Sequence, residues 1–258
     1  MWWLRRLCRR RISGCGPKLP DLLRLEGVHT HIGQYHILHG VDLSVPEGAL
    51  TMLLGRNGAG KTTTLRTIMG LWRASAGRIV FDGADITAMP TPDIARLGIA
   101  YVPETMGIFS QLTVRENMVL ATADGRFDAA RLDSVFALFP VLKLKFSDSA
   151  GGLSGGQKQM LAIARAIVER RRLLVIDEPT KGLAPAVIGQ LIEGFAALKA
   201  ARTTILLVEQ NFAMARALGD GAAVMDDGVV VHAGTMAELA ADEALQARLL
   251  GLGLAAHQ

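Results

Sequence analysis

The chain has 258 residues, half of them apolar and a fifth charged, enough to bury a substantial core in one large or two small domains. No apolar run approaches the roughly 18 residues of a membrane-spanning helix, so any membrane role has to pass through a partner. The formal net charge of +4 is a local effect: residues 1–20 hold six basic and no acidic side chains, and without them 22 basic groups face 24 acidic ones, which excludes a basic nucleic-acid-binding body.

Residues 1–20 read as a basic, disordered tail, or as a segment that touches anionic lipid. Arg5, Arg6, Arg9, Arg10 and Arg11 interrupt what would otherwise be the apolar core of a signal peptide. A start codon placed too far upstream would give the same pattern. Cys8 and Cys15 both fall in this tail, a usage that fits a reducing cytoplasm without disulfides. Strands are expected over 22–46. His29, His31, His36 and His39 crowd into this stretch, but no cysteine or nearby acidic ligand completes a metal set, so a solvated strand-and-turn face is the expectation.

A buried strand over 49–54 then runs into a glycine-rich loop, and apolar residues at helical spacing follow it over 63–69. Another short strand is expected over 77–83, with a turn at its end. Helical periodicity dominates 87–171, interrupted by a brief strand at 99–102. Its clearest helix covers 157–170, with Met160, Leu161, Ala164, Ile167 and Val168 on one stripe. Strands return at 173–176 and 203–208. Asp227-Gly228 marks a hairpin between 222–225 and 229–232, and one or two helices close the chain over 236–250. One α/β domain with a mostly helical insertion accounts for this order.

Three segments carry chemistry. Gly55-Arg56-Asn57-Gly58-Ala59-Gly60-Lys61-Thr62 is a complete GxxxxGK[ST] loop in its strand–loop–helix context. Its glycines let backbone N–H groups curl around phosphate oxygens, and the start of the helix at Thr63 adds its positive end. Lys61 brings a cation to the outer phosphates, and the Thr62 hydroxyl is placed for Mg2+. The motif implies a nucleoside triphosphate. Second, the apolar run 173–176 ends in Asp177 and Glu178. The first carboxylate suits Mg2+ beside Thr62, and the second suits a general base or water-orienting group at the γ-phosphate. Third, Ser154-Gly155-Gly156-Gln157 opens the clear helix with a good N-cap and two glycines, which gives a second anion-approachable helix start.

Together these segments resemble the nucleotide-binding subunit of ATP-binding cassette (ABC) transporters, a likeness that covers nearly all of 21–258. The resemblance implies an α/β fold: a P-loop NTPase (RecA-like) core with an N-terminal antiparallel β subdomain and an inserted α-helical subdomain over about 88–170. It implies ATP and Mg2+ as ligands, and a head-to-tail dimer in which the Ser154–Gln157 segment covers the partner subunit's ATP. A narrower likeness rests on Thr180-Lys181-Gly182-Leu183-Ala184-Pro185, Val208-Glu209-Gln210-Asn211 and Val102-Pro103-Glu104. It points to the smaller ATPase subunit of branched-chain amino acid importers, with uptake of urea or short amides as the alternative solute. A non-transport member of the superfamily is disfavoured by the single cassette and the acidic body.

The implied partners are transmembrane permease subunits, a second ATPase subunit and, indirectly, a periplasmic solute-binding protein, with no nucleic acid. The implied place is the cytoplasmic face of the inner membrane, reached through the permeases. Several positions depart from the superfamily pattern. Glu104 stands where a Mg2+-contacting Gln is usual, and Gln210 replaces the switch histidine at the γ-phosphate. Ala184 replaces an Asp that contacts the other subunit. Ile32 aligns with the aromatic that stacks on adenine, and Tyr35 is three residues further on.

Overall fold

In the computed structural model, residues 20–250 are described. The expected basic tail and both cysteines lie outside them, apart from Pro20. The chain opens with a long antiparallel pair, β1 (Asp21–Ile32) and β2 (Tyr35–Pro46), joined by a two-residue turn at Gly33-Gln34. β3 (Leu50–Gly55) leads into the glycine-rich loop and α1 (Lys61–Ile68). β4 (Ala74–Phe81) and β5 (Ala84–Asp85) follow, then α2 (Thr91–Arg96) and β6 (Ile99–Val102). Four helices come next: α3 (Val114–Val119), α4 (Ala129–Leu138), α5 (Pro140–Leu144) and α6 (Gly155–Ile167). Strands and helices then alternate through β7 (Leu173–Asp177), α7 (Pro185–Ala200), β8 (Thr204–Val208) and α8 (Phe212–Leu218). β9 (Gly221–Asp226), β10 (Val229–Thr235), α9 (Met236–Ala241) and α10 (Glu243–Leu250) close the order.

The strands form two sheets. An antiparallel sheet runs β2-β1-β4-β5, and a six-stranded sheet runs β10-β9-β3-β8-β7-β6, parallel except at β10. β3, β7 and β8 are buried on both faces, which is why they read as unbroken apolar runs rather than alternating ones. Successive side chains still separate by side. Met52, Leu54, Leu174, Ile176, Ile205 and Leu207 join the core packed on α6 and α7. Leu53, Val175, Leu206 and Val208 join α1 and the inner face of the antiparallel sheet. The six-stranded sheet is therefore the wall between two cores, and the C-terminal ends of its parallel strands deliver the loops of interest to one edge.

β6 lies within the expected helical segment 88–170, yet it pairs in parallel with β7 at the edge of the main sheet. The helices α3 to α6 fill the interval between these neighbouring strands. α6 starts two residues earlier than its periodicity predicts and ends at Ile167 rather than 170. At its far end the N–H groups of Arg172 and Leu173 both donate to Gly98 O, at 2.8 and 3.2 Å, so the chain leaves the helix to reach the strand beside β6. The Asp227-Gly228 hairpin is present, with both residues at positive φ (43° and 72°), as a tight two-residue turn requires. The closing segment is two helices.

The four histidines stack on one another along the β1–β2 ribbon. The His36 ring lies flat against His31 (centroids 4.1 Å apart, 5° between planes) and edge-on to His39, with His29 Nδ1 at 3.1 Å from its Nε2. Desolvation, then repulsion from the neighbouring imidazoles, holds His36 below its ordinary pKa. Among the described residues no three His, Cys, Asp or Glu side chains are arranged to hold a metal ion.

Candidate functional site

The phosphate loop leaves β3 at Gly55, where φ is 142° and a Cβ would stand 2.2 Å from Met225 O on β9, so only glycine fits. The loop is then pinned from outside. The Gly228 N–H donates to Ala59 O (3.1 Å), and the His39 N–H donates to Gly228 O (2.8 Å), which ties it to the β9–β10 turn and to β2. α1 begins at Gly60 with no side-chain cap, so its first N–H groups stay open for an anion. The Lys61 ammonium is folded into the loop, donating to Gly55 O (2.8 Å) and Arg56 O (3.0 Å) in the place where outer phosphate oxygens would otherwise take those protons. Thr63 continues the first turn half-buried, its carbonyl accepting from Thr67 Oγ1.

Against this loop stands the end of β7. Thr62 Oγ1 donates to Asp177 Oδ1 at 3.2 Å. Burial pushes the Asp177 carboxyl up to about 6, and the nearby Glu178 and Glu104 charges push the same way. Tyr101 Oη donates to Asp177 Oδ2 at 3.5 Å, and burial beside that carboxylate lifts the phenol to about 12. The Thr62 hydroxyl at the start of α1, beside the Asp177 carboxylate at the end of β7, is an oxygen pair of the chemistry that suits a divalent cation.

Glu178 leaves the strand in the left-handed region (φ 44°) and stays 9 % exposed. Its Oε1 accepts from Gln210 Nε2 (2.7 Å) and lies 3.6 Å from Lys61 Nζ. The same Gln210 amide nitrogen donates its other hydrogen to Asn57 Oδ1, also at 2.7 Å, so one side chain joins the phosphate loop to the end of β7. Glu104 is exposed and bound by Lys181 Nζ (2.6 Å), which also reaches within 3.7 Å of Glu178 Oε2. A cleft of about 310 Å³ opens off this cluster, lined by Gly55, Arg56, Asn57, Gln210, Phe212 and Leu250 among others.

The Ser154 segment is elsewhere. Ser154 Oγ accepts from the Gln157 N–H (3.3 Å) and Gln157 Oε1 accepts from the Ser154 N–H (3.0 Å), a complete capping box at the start of α6. Gly155 is exposed and open. Gly156 is buried, and a Cβ there would meet Val187 Cγ1 at 2.5 Å, so this glycine lets α6 and α7 close on each other. No hydrogen bond or ion pair among the described residues joins Ser154, Gly155, Gly156 or Gln157 to the phosphate loop.

Comparison with known proteins gives the family. Residues 38–181 match the ABC transporter family. The chain belongs to that family. It is 39% identical over 232 residues to the high-affinity branched-chain amino acid transport ATP-binding protein BraG of Pseudomonas aeruginosa, which covers 89% of this chain and all of that protein. It is 36% identical to the probable branched-chain amino acid transport ATP-binding protein LivF of Archaeoglobus fulgidus, over 90% of this chain and 99% of the relative. Among solved structures, the ADP conformation of an ATP-binding cassette superposes with a TM-score of 0.75 at 27% identity, covering 88% of this chain and 97% of that one. The cassette therefore binds nucleotide and hydrolyses ATP as a subunit of a transporter, on the expected α/β P-loop fold. No helix among the described residues is long and apolar enough to cross a membrane.

The roles of Lys181 and Glu209 escaped sequence reasoning, and the fold adds the pairing of Ile32 with Tyr35. Ile32 and Tyr35, three residues apart in the chain, are directly opposite one another across the β1–β2 turn. Lys181, part of a motif segment, holds Glu104. Glu209 is buried at the end of β8. A carboxylate directly after an apolar strand run was a readable signal, the same one that marks Asp177.

Proposed function

We propose that this cassette drives an importer for branched-chain or related amino acids, binding ATP–Mg2+ at the cluster around Lys61 and Glu178 and hydrolysing it between two subunits. The solute class rests on the two relatives named for branched-chain amino acid transport. The observation that carries the mechanism is the Gln210 amide shared between Glu178 and Asn57, which gathers loop, base and switch at one point. In this reading Gly55, Arg56, Asn57, Gly58, Ala59, Gly60 and Thr63 wrap the phosphates with backbone N–H groups. Lys61 exchanges its carbonyl partners for phosphate oxygens, and Gln210 turns its amide to the γ-phosphate. Glu178, freed of Gln210, aligns a water for attack. Thr62 and Asp177 would hold Mg2+, with Glu104 once released by Lys181; the bound ion would neutralise charge on the β- and γ-phosphate oxygens. Ser154, Gly155, Gly156 and Gln157 face the ATP of the partner subunit.

The test is Glu178→Gln, which keeps shape and hydrogen bonding and removes the charge. Phosphate release should be lost while ATP still binds and now holds a closed dimer in light scattering. Wild-type turnover in the purified variant would remove Glu178 from this role.

The working dimer is proposed to be a heterodimer within a complex of permeases and a periplasmic binding protein. Ala184, at the N-cap of α7, offers no polar side chain to the other subunit, and Gln210 offers no ionisable group to the γ-phosphate, so a homodimer would repeat both losses at both ATP sites. ATP-dependent association of the Glu178→Gln chain alone, as tight as with the second ATPase subunit, would make the heterodimer unnecessary.

A further inference from the structure

The geometry points to Glu209 as a positioning residue: its buried carboxylate clamps the Gln210 loop to the Glu178 turn, so that both groups meet the γ-phosphate as one unit. This rests on the assignment of Glu178 and Gln210 proposed above.

Glu209 is 2 % exposed and has no basic side chain within ion-pair distance among the described residues. It is instead held by four donors from two loops. Oε1 accepts from the Thr180 N–H (3.1 Å) and Thr180 Oγ1 (2.8 Å). Oε2 accepts from the N–H groups of Gln210 (3.1 Å) and Asn211 (3.2 Å). The two loops follow β7 and β8, neighbours in the sheet with Asp177 opposite Val208. A buried carboxylate satisfied only by hydrogen bonds is tolerated where the geometry of all its donors is fixed. Burial raises its pKa while each of these donors opposes the rise, so the ionised form depends on the clamp being complete.

The position of the clamp matters because of what lies on either side. Glu178 adopts a left-handed backbone that a non-glycine residue keeps only when its surroundings determine it, and its N–H donates to Val208 O at 3.0 Å. Thr180, two residues on, is the next fixed point of that turn. On the other loop Asn211 caps α8 through Oδ1 to the Met214 N–H (3.1 Å), so Gln210 sits between two anchored residues. Glu209 makes no hydrogen bond to either active side chain, yet it holds the Gln210 backbone directly and the Glu178 turn through Thr180.

Glutamine at 209 is nearly isosteric but carries one NH2 group, which must face at least one backbone N–H donor whichever way the amide turns. In the full-length chain, Glu209→Gln should lower kcat for ATP about tenfold or more and change KM less than about threefold, with the amides of Thr180, Gln210 and Asn211 losing hydrogen-exchange protection. Because part of its effect passes through Gln210, adding Glu209→Gln to Gln210→Ala should cost less than Glu209→Gln costs in the wild-type chain. Should Glu209→Gln fail to fold, Thr180→Val, which removes one of the four donors with little change of shape, should give the same kcat loss in smaller measure. A wild-type kcat in whichever variant folds, or a rise in KM at constant kcat, or losses additive with Gln210→Ala, would overturn the clamp. The underlying assignment fails separately, if Gln210→Ala and Glu178→Gln themselves keep wild-type kcat.

Discussion

Two helix starts in this cassette invite an anion, and they are built in opposite ways. α1 begins uncapped at Gly60, and its side chains are knotted to their own chain: Lys61 to Gly55 and Arg56, Thr62 to Asp177, Asn57 through Gln210 to Glu178. α6 begins with a closed capping box, and its exposed Ser154 and Gly155 have no partner on the phosphate-loop side. The first gathers loop, carboxylates and switch within one chain. The second closes its own cap and, among the described residues, bonds nothing on the phosphate-loop side. That asymmetry is what the proposed site between two subunits requires: each half must fold before its counterpart arrives.

Lys61→Ala tests the first half most severely. The variant removes the one loop cation that is folded inward, Arg56 being exposed, and ATP affinity should fall well beyond about tenfold in equilibrium titration with a fluorescent nucleotide. Near-normal binding would break the claim that α1 is the self-sufficient start.

Asp177→Asn probes the electrostatic tension stored there without nucleotide. The Asp177 carboxyl titrates at about 6 in the fold against an ordinary 3.8, so at neutral pH the folded state alone carries the cost of ionising a buried group. As pH falls through 6 the fold takes up a proton that the unfolded chain binds only near 3.8. Nucleotide-free stability should therefore rise from pH 7 towards pH 4 through this group, by on the order of 3 kcal/mol. Asp177→Asn should capture that gain at neutral pH as a higher melting temperature and flatten the pH dependence, while losing Mg2+-dependent turnover. A lower melting temperature would show that the donated Thr62 bond outweighs desolvation.

At the second start, the two glycines should separate. Gly156→Ala forces a methyl into Val187 and should cost about 1–3 kcal/mol, seen as a melting point lower by several degrees. Gly155→Ala meets nothing closer than 4.0 Å and should leave the melting point in place. The smallest effect belongs to Ser154→Ala, which opens the capping box for about 1 kcal/mol. If its loss of ATP-driven dimerisation in the Glu178→Gln background is no larger than that, Ser154 serves the helix and not the neighbouring nucleotide.

Much of the cassette was legible in the order of its residues, because the information is local. A GxxxxGK[ST] loop between an apolar strand and an amphipathic helix constrains its own backbone, and Ser154 with Gln157 writes its own cap. Runs such as Leu173–Asp177 declare a strand buried on both faces together with the carboxylate at its end. What the sequence left open depends on residues far apart in the chain. The pairing of β6 with β7 brings back a segment some seventy positions distant, so four helices separate neighbours in one sheet. Gln210 reaches Asn57 across 153 residues, and Glu209 reaches Thr180 across 29, because parallel strands end side by side whatever their order along the chain. Gly156 looks like an anion-approach residue from its motif, and only the packing of α6 on α7 reveals the contact that requires it. Local backbone chemistry fixed the motifs; the lateral order of the strands, set by burial on both faces of the sheet, decided which of them meet.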